Sequence, residues 1–304
     1  MEPKLPAVCV AVLNWNGRVH LADLLPSLQE AKRAYRGDCR LLVLDNPGPV
    51  DDEFWTKERF PDVEWVKSPT NDFLFSYNWL MPQLSEDVVV LLNNDLRVAP
   101  DFIEPLVQPL ADEETFAVSA KSLSWDGSEV TSAGYRVGTH RGWTYWKGFD
   151  SGKTVETLFA VGGFMAVDRG KFMEVGGFDR LFFPAYGEDV DLCLRAKQRG
   201  WKSLYAPESI VWHKEGASWN YGDDPRRAFL SYKTHFLVQW RYFNRPLASA
   251  KRNAFCVMEI LTKRRPLALV KAWWQAKKAW RMHAGISHDW RKDAIVPVQY
   301  SPNS

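Results

Sequence analysis

The chain has few of the features that stabilise small secreted or membrane-spanning proteins. Its four cysteines, Cys9, Cys39, Cys193 and Cys256, are far apart and form no Cys-x-x-Cys pair. That argues against a disulfide framework or a thiolate zinc site and points to a reduced chain. No stretch approaches the roughly 20 apolar residues of a membrane-spanning helix, and there is neither an internal repeat nor a low-complexity tract. The opening residues, MEPKLPAVCVAVLNWNG, carry Glu2 and a short apolar run, without the basic start and cleavage region of a signal peptide. The expected location is cytoplasmic, any membrane being met from the side. Net charge is nearly absent, at +2, but it is unevenly spread. Arg226 to Met282 holds fourteen Lys or Arg against one acid, Glu259, so that segment carries +13 and the remainder −11. Such asymmetry suggests an anionic partner surface for the basic segment.

What is present is an ordinary globular composition, 46% hydrophobic and 25% charged over 304 residues. This suffices for one large α/β domain with an appendage, or for two domains. Ala7–Leu13, Arg40–Asp45, Asp62–Val66 and Asp87–Leu92 read as strands. Three of the four are nearly all apolar, as parallel strands covered on both faces are. Leu21–Tyr35 and Phe75–Leu84 read as helices between them, so the pattern predicts βαβ units in a mostly parallel, doubly wound sheet. Further on, Leu158–Val167 reads as a strand interrupted by Gly162-Gly163. Glu188–Arg199 reads as a helix stopped by Gly200, and Ser203–Tyr205 and Ser209–His213 as short final strands. Beyond Asp223-Asp224-Pro225 the pattern turns helical and basic.

Ligands of such sheets bind at the carboxyl ends of strands. Polar residues directly follow the apolar runs there: Asn14-Trp15-Asn16, Asp45-Asn46 and Asn93-Asn94-Asp95. Asp95 is poised to hold a hard divalent cation that neutralises a diphosphate leaving group; the same NNDL also suits a plain turn. Asp45 is placed to accept from a ribose hydroxyl or a base N–H, or to cap the turn in DNPG, and Asn14–Gly17 has the same two readings. Glu188 and Asp189 open a helix after FFPAYG, where a carboxylate held ionised by the helix N-terminus suits a general base and equally suits the helix dipole. Asp191 with Arg195 reads as a surface i,i+4 pair. His213 ends the run SIVW, either completing a metal site with Asp95 or filling a structural place.

Taken in order, VLNWNG, LDN, LLNNDLRV, GGFMAV, GGFDRLFFPAYGEDVDLCLRAKQRGWK and IVWHKEG resemble the family 2 glycosyltransferases of the GT-A fold, especially their bacterial rhamnosyltransferase-like branch. The resemblance runs from about Val8 to about Phe243. It implies an inverting transfer of a sugar, rhamnose or another hexose, from a nucleotide-sugar donor to a glycan, lipid-linked or protein acceptor, assisted by Mg or Mn. It further implies that Asp189, paired with Glu188, is the base and that Asp95 with His213 holds the metal. Asp45 would contact the nucleobase or ribose, with Asn14, Asn16, Asn46, Asn78, Asn93, Asn94, Gly162 and Gly163 completing the donor site. Two departures stand out. DFLFSYNW keeps Asn78 but lacks the family's glycines, which should reshape the sugar end of the pocket. Asn93 replaces the first acid of the metal motif, so activity should need millimolar-range metal or metal delivered with the donor.

The expected domains are a catalytic domain over 1–225, its nucleotide-sugar half about 1–98 and its acceptor half about 99–225, and a helical basic extension over 226–304. In PLALVKAWWQAKKAWRMH, residues 266–283, Leu269, Trp273, Ala276 and Trp280 share one helical face while Lys271, Lys278 and Arg281 lie elsewhere. That helix either lies on an anionic membrane at its inner face or packs its Trp face on the protein. Nucleic acid is a third partner class, with no recognisable module to support it. Two other functions are weighed. A non-catalytic nucleotide-sugar or glycan binder would use the same fold, and a nucleotidyltransferase would need a triphosphate-binding loop that does not appear near the first strand.

Overall fold

The computed structural model describes residues 5–140, 143–214, 225–243 and 266–284. Glu215, Gly216, Asp223, Asp224, Cys256 and Glu259 lie outside the described residues. The strands are β1 (Val8–Asn14), β2 (Cys39–Asp45), β3 (Glu64–Lys67), β4 (Val88–Asn93), β5 (Leu96–Val98), β6 (Thr115–Ser124), β7 (Val130–Ser132), β8 (Gly134–His140), β9 (Trp143–Phe149), β10 (Val155–Thr157), β11 (Phe164–Asp168) and β12 (Lys202–His213). The helices are α1 (Arg18–Ala34), α2 (Glu53–Arg59), α3 (Ser76–Leu80), α4 (Ile103–Val107), α5 (Arg169–Glu174), α6 (Glu188–Gln198), α7 (Pro225–Tyr242) and α8 (Pro266–Ala284). Their contacts form two compact units. One comprises Met1–Tyr135, Gly148–Asp179 and Asp189–Ala217; the other comprises Arg136–Lys147, Arg180–Glu188 and Ser218–Ser304.

A ten-stranded sheet in the order β10-β12-β6-β11-β4-β1-β2-β3 dominates, with β5 on β12 and β7 on β6, while β8 and β9 form a separate pair. The run β3-β2-β1-β4 is parallel, as is β6 with β12; β11 runs against both β4 and β6. Leu21, Leu24, Leu25 and Leu28 recur at helical spacing and are all buried in one cluster with Val8, Val10 and Val12 of β1 and Leu41 and Val43 of β2. Each such leucine contributes about 2 kcal/mol by leaving water. On β1 the intervening residues Cys9 and Ala11 are buried too, which is why the strand reads as apolar throughout rather than alternating.

Several sequence expectations need adjusting. The helix expected over Phe75–Leu84 is the short α3 between two 3-10 turns, Phe73–Phe75 and Met81–Gln83. The strand expected over Leu158–Val167 begins only at Phe164, because the Gly162-Gly163 segment turns aside. The two short final strands are one, β12, with a register shift between Ala206 and Ile210. Asp191 and Arg195 are no surface pair: their side chains are 0% and 14% exposed. Arg195 donates to Asp191 Oδ2 at 2.8 Å and to the carbonyls of Val175 and Gly177, tying α6 to the turn in which Gly176 and Gly177 take positive φ. Removing one partner of a buried ion pair strands the other charge at a cost of about 3–5 kcal/mol. Arg195→Met is therefore expected to lower unfolding stability by about that amount in urea titration, far beyond a surface-pair loss.

Candidate active site

The register of the parallel strands builds the site. Asn14 at the end of β1 is level with Asp45 at the end of β2, and Leu13 is level with Asn93 at the end of β4. Asn14 is fully buried. Its Nδ2 donates to Asp45 Oδ1 at 2.8 Å, and its Oδ1 accepts from Asn94 Nδ2 at 2.8 Å. Gly17 leaves room for this bridge, since a Cβ there would stand 1.9 Å from Asn94 Nδ2. Burial raises the Asp45 carboxyl to about 6 against the opposing hydrogen bond from Asn14.

Asn16, Asn46 and Asn78 hold loops. Asn16 takes a φ of 48°, and its Oδ1 accepts from the Val50 amide at 3.1 Å. Asn46 Oδ1 accepts from Ser68 Oγ at 2.8 Å and Ser76 Oγ at 2.5 Å, and its Nδ2 donates to Phe73 O at 3.3 Å. Both ends of the Asn78 amide are engaged with the Phe178 backbone, each at 2.8 Å. A donor contact through that amide would have to break this clamp.

Asp95 is 6% exposed, and its Oδ1 is buried with no hydrogen-bond partner. Its Oδ2 lies 3.4 Å from His213 Nε2. The two meet because β5 and β12 pair Leu96 with His213, and the Lys214 amide donates to Asp95 O at 2.9 Å. Motif reading missed the stack that supports this pairing. The Arg97 guanidinium lies 4.7 Å from the Trp212 ring centroid and 5.0 Å from that of Trp125, and Lys214 Nζ lies 4.5 Å from Trp125. Its signal was present in the sequence as a cation two residues past Asp95 and an aromatic one before His213. Among the described residues no group of three or more His, Cys, Asp or Glu could hold a metal alone. An orphaned buried carboxylate oxygen with one imidazole nearby nevertheless fits a hard cation that takes its other ligands from phosphate and water.

The glycine pair carries the arrangement on to Asp189. The Asn93 amide donates to Gly163 O at 2.8 Å, and a Cβ on Gly163 would stand 2.7 Å from Asn93 Nδ2. The Gly162 amide donates to Asp189 Oδ2 at 3.2 Å, and the Val190 amide to Asp189 Oδ1 at 2.8 Å. A Cβ on Gly162 would meet Leu74 Cδ2 at 2.8 Å, so the bulky segment lacking glycines closes on this junction. At Asp189 burial works against the helix N-terminus. Burial raises its carboxyl above the ordinary range, and the two amide bonds only partly offset that.

In the second unit, α7 holds the loop that leads to Glu188. Lys233 Nζ donates to Phe183 O at 2.5 Å, and Thr234 Oγ1 donates at 2.6 Å to the carbonyl of Tyr186, whose φ is 69°. Lys233 is 8% exposed. Burial lowers its pKa, and the charge of Glu188 opposes that. Neither Lys233 nor Thr234 stands in a motif.

The family described as "Glycosyltransferase like family 2" matches residues 6–226, a span containing Asn14 through His213 but not Lys233 and Thr234 of α7. The chain belongs to that family. A relative, the N-acetylglucosaminyl-diphospho-decaprenol L-rhamnosyltransferase of Mycobacterium tuberculosis, is 44% identical over 254 residues, covering 74% of this chain and 80% of that protein. The rhamnosyltransferase WbbL of Escherichia coli is 33% identical over 97 residues, 31% of this chain and 34% of that one. The O-antigen biosynthesis protein RfbC of Myxococcus xanthus is 31% identical over 194 residues, 59% of this chain but only 15% of that protein. Among solved structures, GalNAc-T7 with UDP, GalNAc and Mn2+ superposes with TM-score 0.63 at 17% identity, over 80% of this chain and 49% of that one. The Pyrobaculum calidifontis mannosyltransferase PcManGT with GDP-Man and Mn2+ gives 0.59 at 17% identity, over 96% and 83%. The family 2 fold here is thus the GT-A fold, a mixed α/β architecture on a mostly parallel central sheet.

Asp45 yields a stability prediction with a defined sign. Its folded-state pKa is raised, so its contribution to stability is present while it is protonated and is lost as pH rises through about 6. Asp45→Asn keeps an acceptor for Asn14 and removes the buried charge. The ligand-free variant is expected to be more stable than the parent by about 1–2 kcal/mol above that pH, after allowance for solvent screening. The difference should fade towards the ordinary carboxylate range near pH 4, as read by denaturant unfolding across pH.

Proposed function

We propose that this chain transfers a sugar, L-rhamnose or another hexose, from a nucleoside-diphosphate donor to a hydroxyl of a glycan, lipid-linked or protein acceptor, with inversion at the anomeric carbon. The observation that carries the proposal is the unbroken run of contacts from Asp45 through Asn14 to Asn94, continued along the chain to Asn93 and on through Gly163 and Gly162 to Asp189. The run supports reading Asp45 as the carboxylate that meets the nucleotide and Asp189 as the base, at opposite ends of one connected edge. The 44% identical relative, an N-acetylglucosaminyl-diphospho-decaprenol L-rhamnosyltransferase, supports rhamnose as the sugar and a lipid-linked acceptor.

In the proposed step Asp45 accepts hydrogen bonds from the ribose or base, with Asn93 and Asn94 at the turn below the diphosphate. Gly162 and Gly163 keep the junction free of side chains, so that donor and acceptor meet beside Asp189. The acceptor oxygen forms a bond to the anomeric carbon from the face opposite the leaving group. As it does so its proton passes to the Asp189 carboxylate, and the nucleoside diphosphate departs with the bonding electron pair. Glu188, next in the chain, adds negative charge on the base's side. A divalent cation at Asp95 and His213 would neutralise the departing diphosphate. Such a site is compatible with location at the cytoplasmic face of a membrane, and no helix among the described residues is long and apolar enough to cross one.

A panel of nucleotide sugars read out by nucleoside diphosphate release tests the activity, with a deoxyhexose donor expected to lead. Asp189→Asn should lower kcat by about 10²–10⁴ and leave donor affinity intact by calorimetry. Undiminished donor binding with no transfer by the parent chain on any donor would favour a binding protein instead. Because the base works deprotonated and burial raises its pKa, activity should fall with acidification at a pH above the ordinary carboxylate range.

Metal use is tested separately. Asp95→Asn should raise the metal concentration giving half-maximal rate, and excess chelator should stop turnover. Full turnover in chelator refutes the metal role while leaving the Asp189 role standing.

A further inference from the structure

The basic C-terminal helix offers a surface that sugar transfer does not use. Helix α8 packs on α7, with Leu269, Ala272 and Ala276 buried and Trp280 edge-on to Trp240 at 6.1 Å between centroids. Trp273, which helical spacing puts on a face with Leu269, Ala276 and Trp280, is 40% exposed, with Val270 at 44% and Trp274 at 58%. Two of the inward positions are alanines, which suit a neighbouring helix, while Trp273 and Trp274 are turned out.

Val270, Trp273, Trp274, Lys277, Lys278 and Arg281 fall at i, i+3, i+4, i+7, i+8 and i+11, which is a single helix face. Its first half is apolar and its second half cationic. Lys277 Nζ stands 4.6 Å from the Trp273 ring centroid and Lys278 Nζ 5.8 Å from that of Trp274, so each outward indole has an ammonium beside it. Lys271 is exposed as well, and Pro266–Ala284 contains no acid.

We propose that this outward face of α8 docks on an anionic lipid bilayer. Indoles favour the headgroup level, where an apolar ring meets acyl chains and a polar edge meets water. Ammonium groups one turn further along then lie among lipid phosphates. The charge pattern argues against other occupants. A second copy would set the same cations against themselves across a two-fold axis. A nucleic acid would satisfy the lysines and can stack bases on indoles, but it would leave Val270 without an apolar partner, and cations confined to one end of the face form no continuous track for a phosphate backbone. The proposal is independent of which sugar is transferred and of whether Asp189 is the base.

The test uses the intact chain with sedimentable vesicles of phosphatidylcholine alone and of phosphatidylcholine mixed with phosphatidylglycerol. Binding is expected only to the mixed vesicles and should weaken as salt is raised. Lys277→Gln with Lys278→Gln should weaken it about 30-fold, since each surface cation contributes about fivefold in partitioning. Trp273→Ser with Trp274→Ser should abolish the extra fluorescence quenching that brominated lipids cause in the parent. Retained nucleotide release on a soluble acceptor would show that both variants fold. Equal binding to the two vesicle types, unchanged binding by the Trp variant, or binding to an oligonucleotide with none to vesicles would each overturn the proposal. So would a concentration-dependent dimer that the Trp variant abolishes in the absence of vesicle binding.

Discussion

The in-register parallel pairing of β1 with β2 on one side and β4 on the other is the constraint from which the site follows. A strand slipped by one residue turns every side chain to the opposite face of its sheet. Were β2 so displaced, Asp45 would leave Asn14. Were β4, Asn94 would lose its acceptor. The apolar residues of β1, buried on both faces, hold that register, because a slip would bring the polar strand ends inside. Core packing thereby fixes the position of three side chains that contribute nothing to it.

Placed there, the polar groups are costly to bury, and the fold meets that cost with shared hydrogen bonds. Asn14 spends both ends of its amide between Asp45 and Asn94, leaving neither amide nor carboxylate as an isolated buried dipole. The cost is not fully met at two carboxylates. Asp45 and Asp189 both have raised proton affinity through burial, and Asp95 retains an unpartnered buried oxygen. A fold selected only for stability would have little use for three such groups along one edge. They are what a site looks like when its missing partners are to be supplied by a ligand. Among the described residues, the non-glycine ones with positive φ, Asn16, Phe73 and Tyr186, lie on loops leading to the same groups, with Asn46 bonded to Phe73 and Thr234 to Tyr186. Strain of this kind persists only where surrounding contacts over-determine it.

The same physics explains what could be read beforehand. β1, β2 and β4 were legible because strands covered on both faces are apolar throughout, and the residues after them were legible because such sheets bind ligands there. β6 was not, since TFAVSAKSLS hides buried Thr115, Ser119 and Ser122 among small polar residues that hydrophobic periodicity discounts. Asp191 with Arg195 had the spacing of a surface pair; its burial comes from a turn 18 and 20 residues earlier, which local spacing does not encode. The Asn78 clamp on Phe178 spans 100 residues and was equally out of reach. Helical spacing put Trp273 on a face with Leu269, Ala276 and Trp280 without deciding whether that face turns to the protein or to a membrane. An amphipathic wheel ranks faces by hydrophobicity, whereas the face that packs is chosen by how closely the neighbouring helix approaches, and alanines allow the closer approach.

That last point bears on how a chain of net charge +2 can carry a strongly basic segment to a purpose. At physiological ionic strength a charge is felt over about 8 Å, so the acidic remainder does not cancel cations on a separate helix face. What matters is the local set, and on α8 it is all of one sign. Mixed charge along the helix would have solubilised it as well, so solubility does not account for the pattern. Turning tryptophans outward is unfavourable in water, and placing lysines beside them reduces that cost through cation–π contact without burying the rings. An arrangement that keeps aromatic surface available yet tolerable in solution suits a helix that exchanges between water and a headgroup layer better than one that only props up its neighbour. Meanwhile α7 does structural work, gripping the loop before Glu188 through Lys233 and Thr234. Among the described residues of the basic segment, one helix thus turns Lys233 and Thr234 inward to a loop and the other turns its cations out.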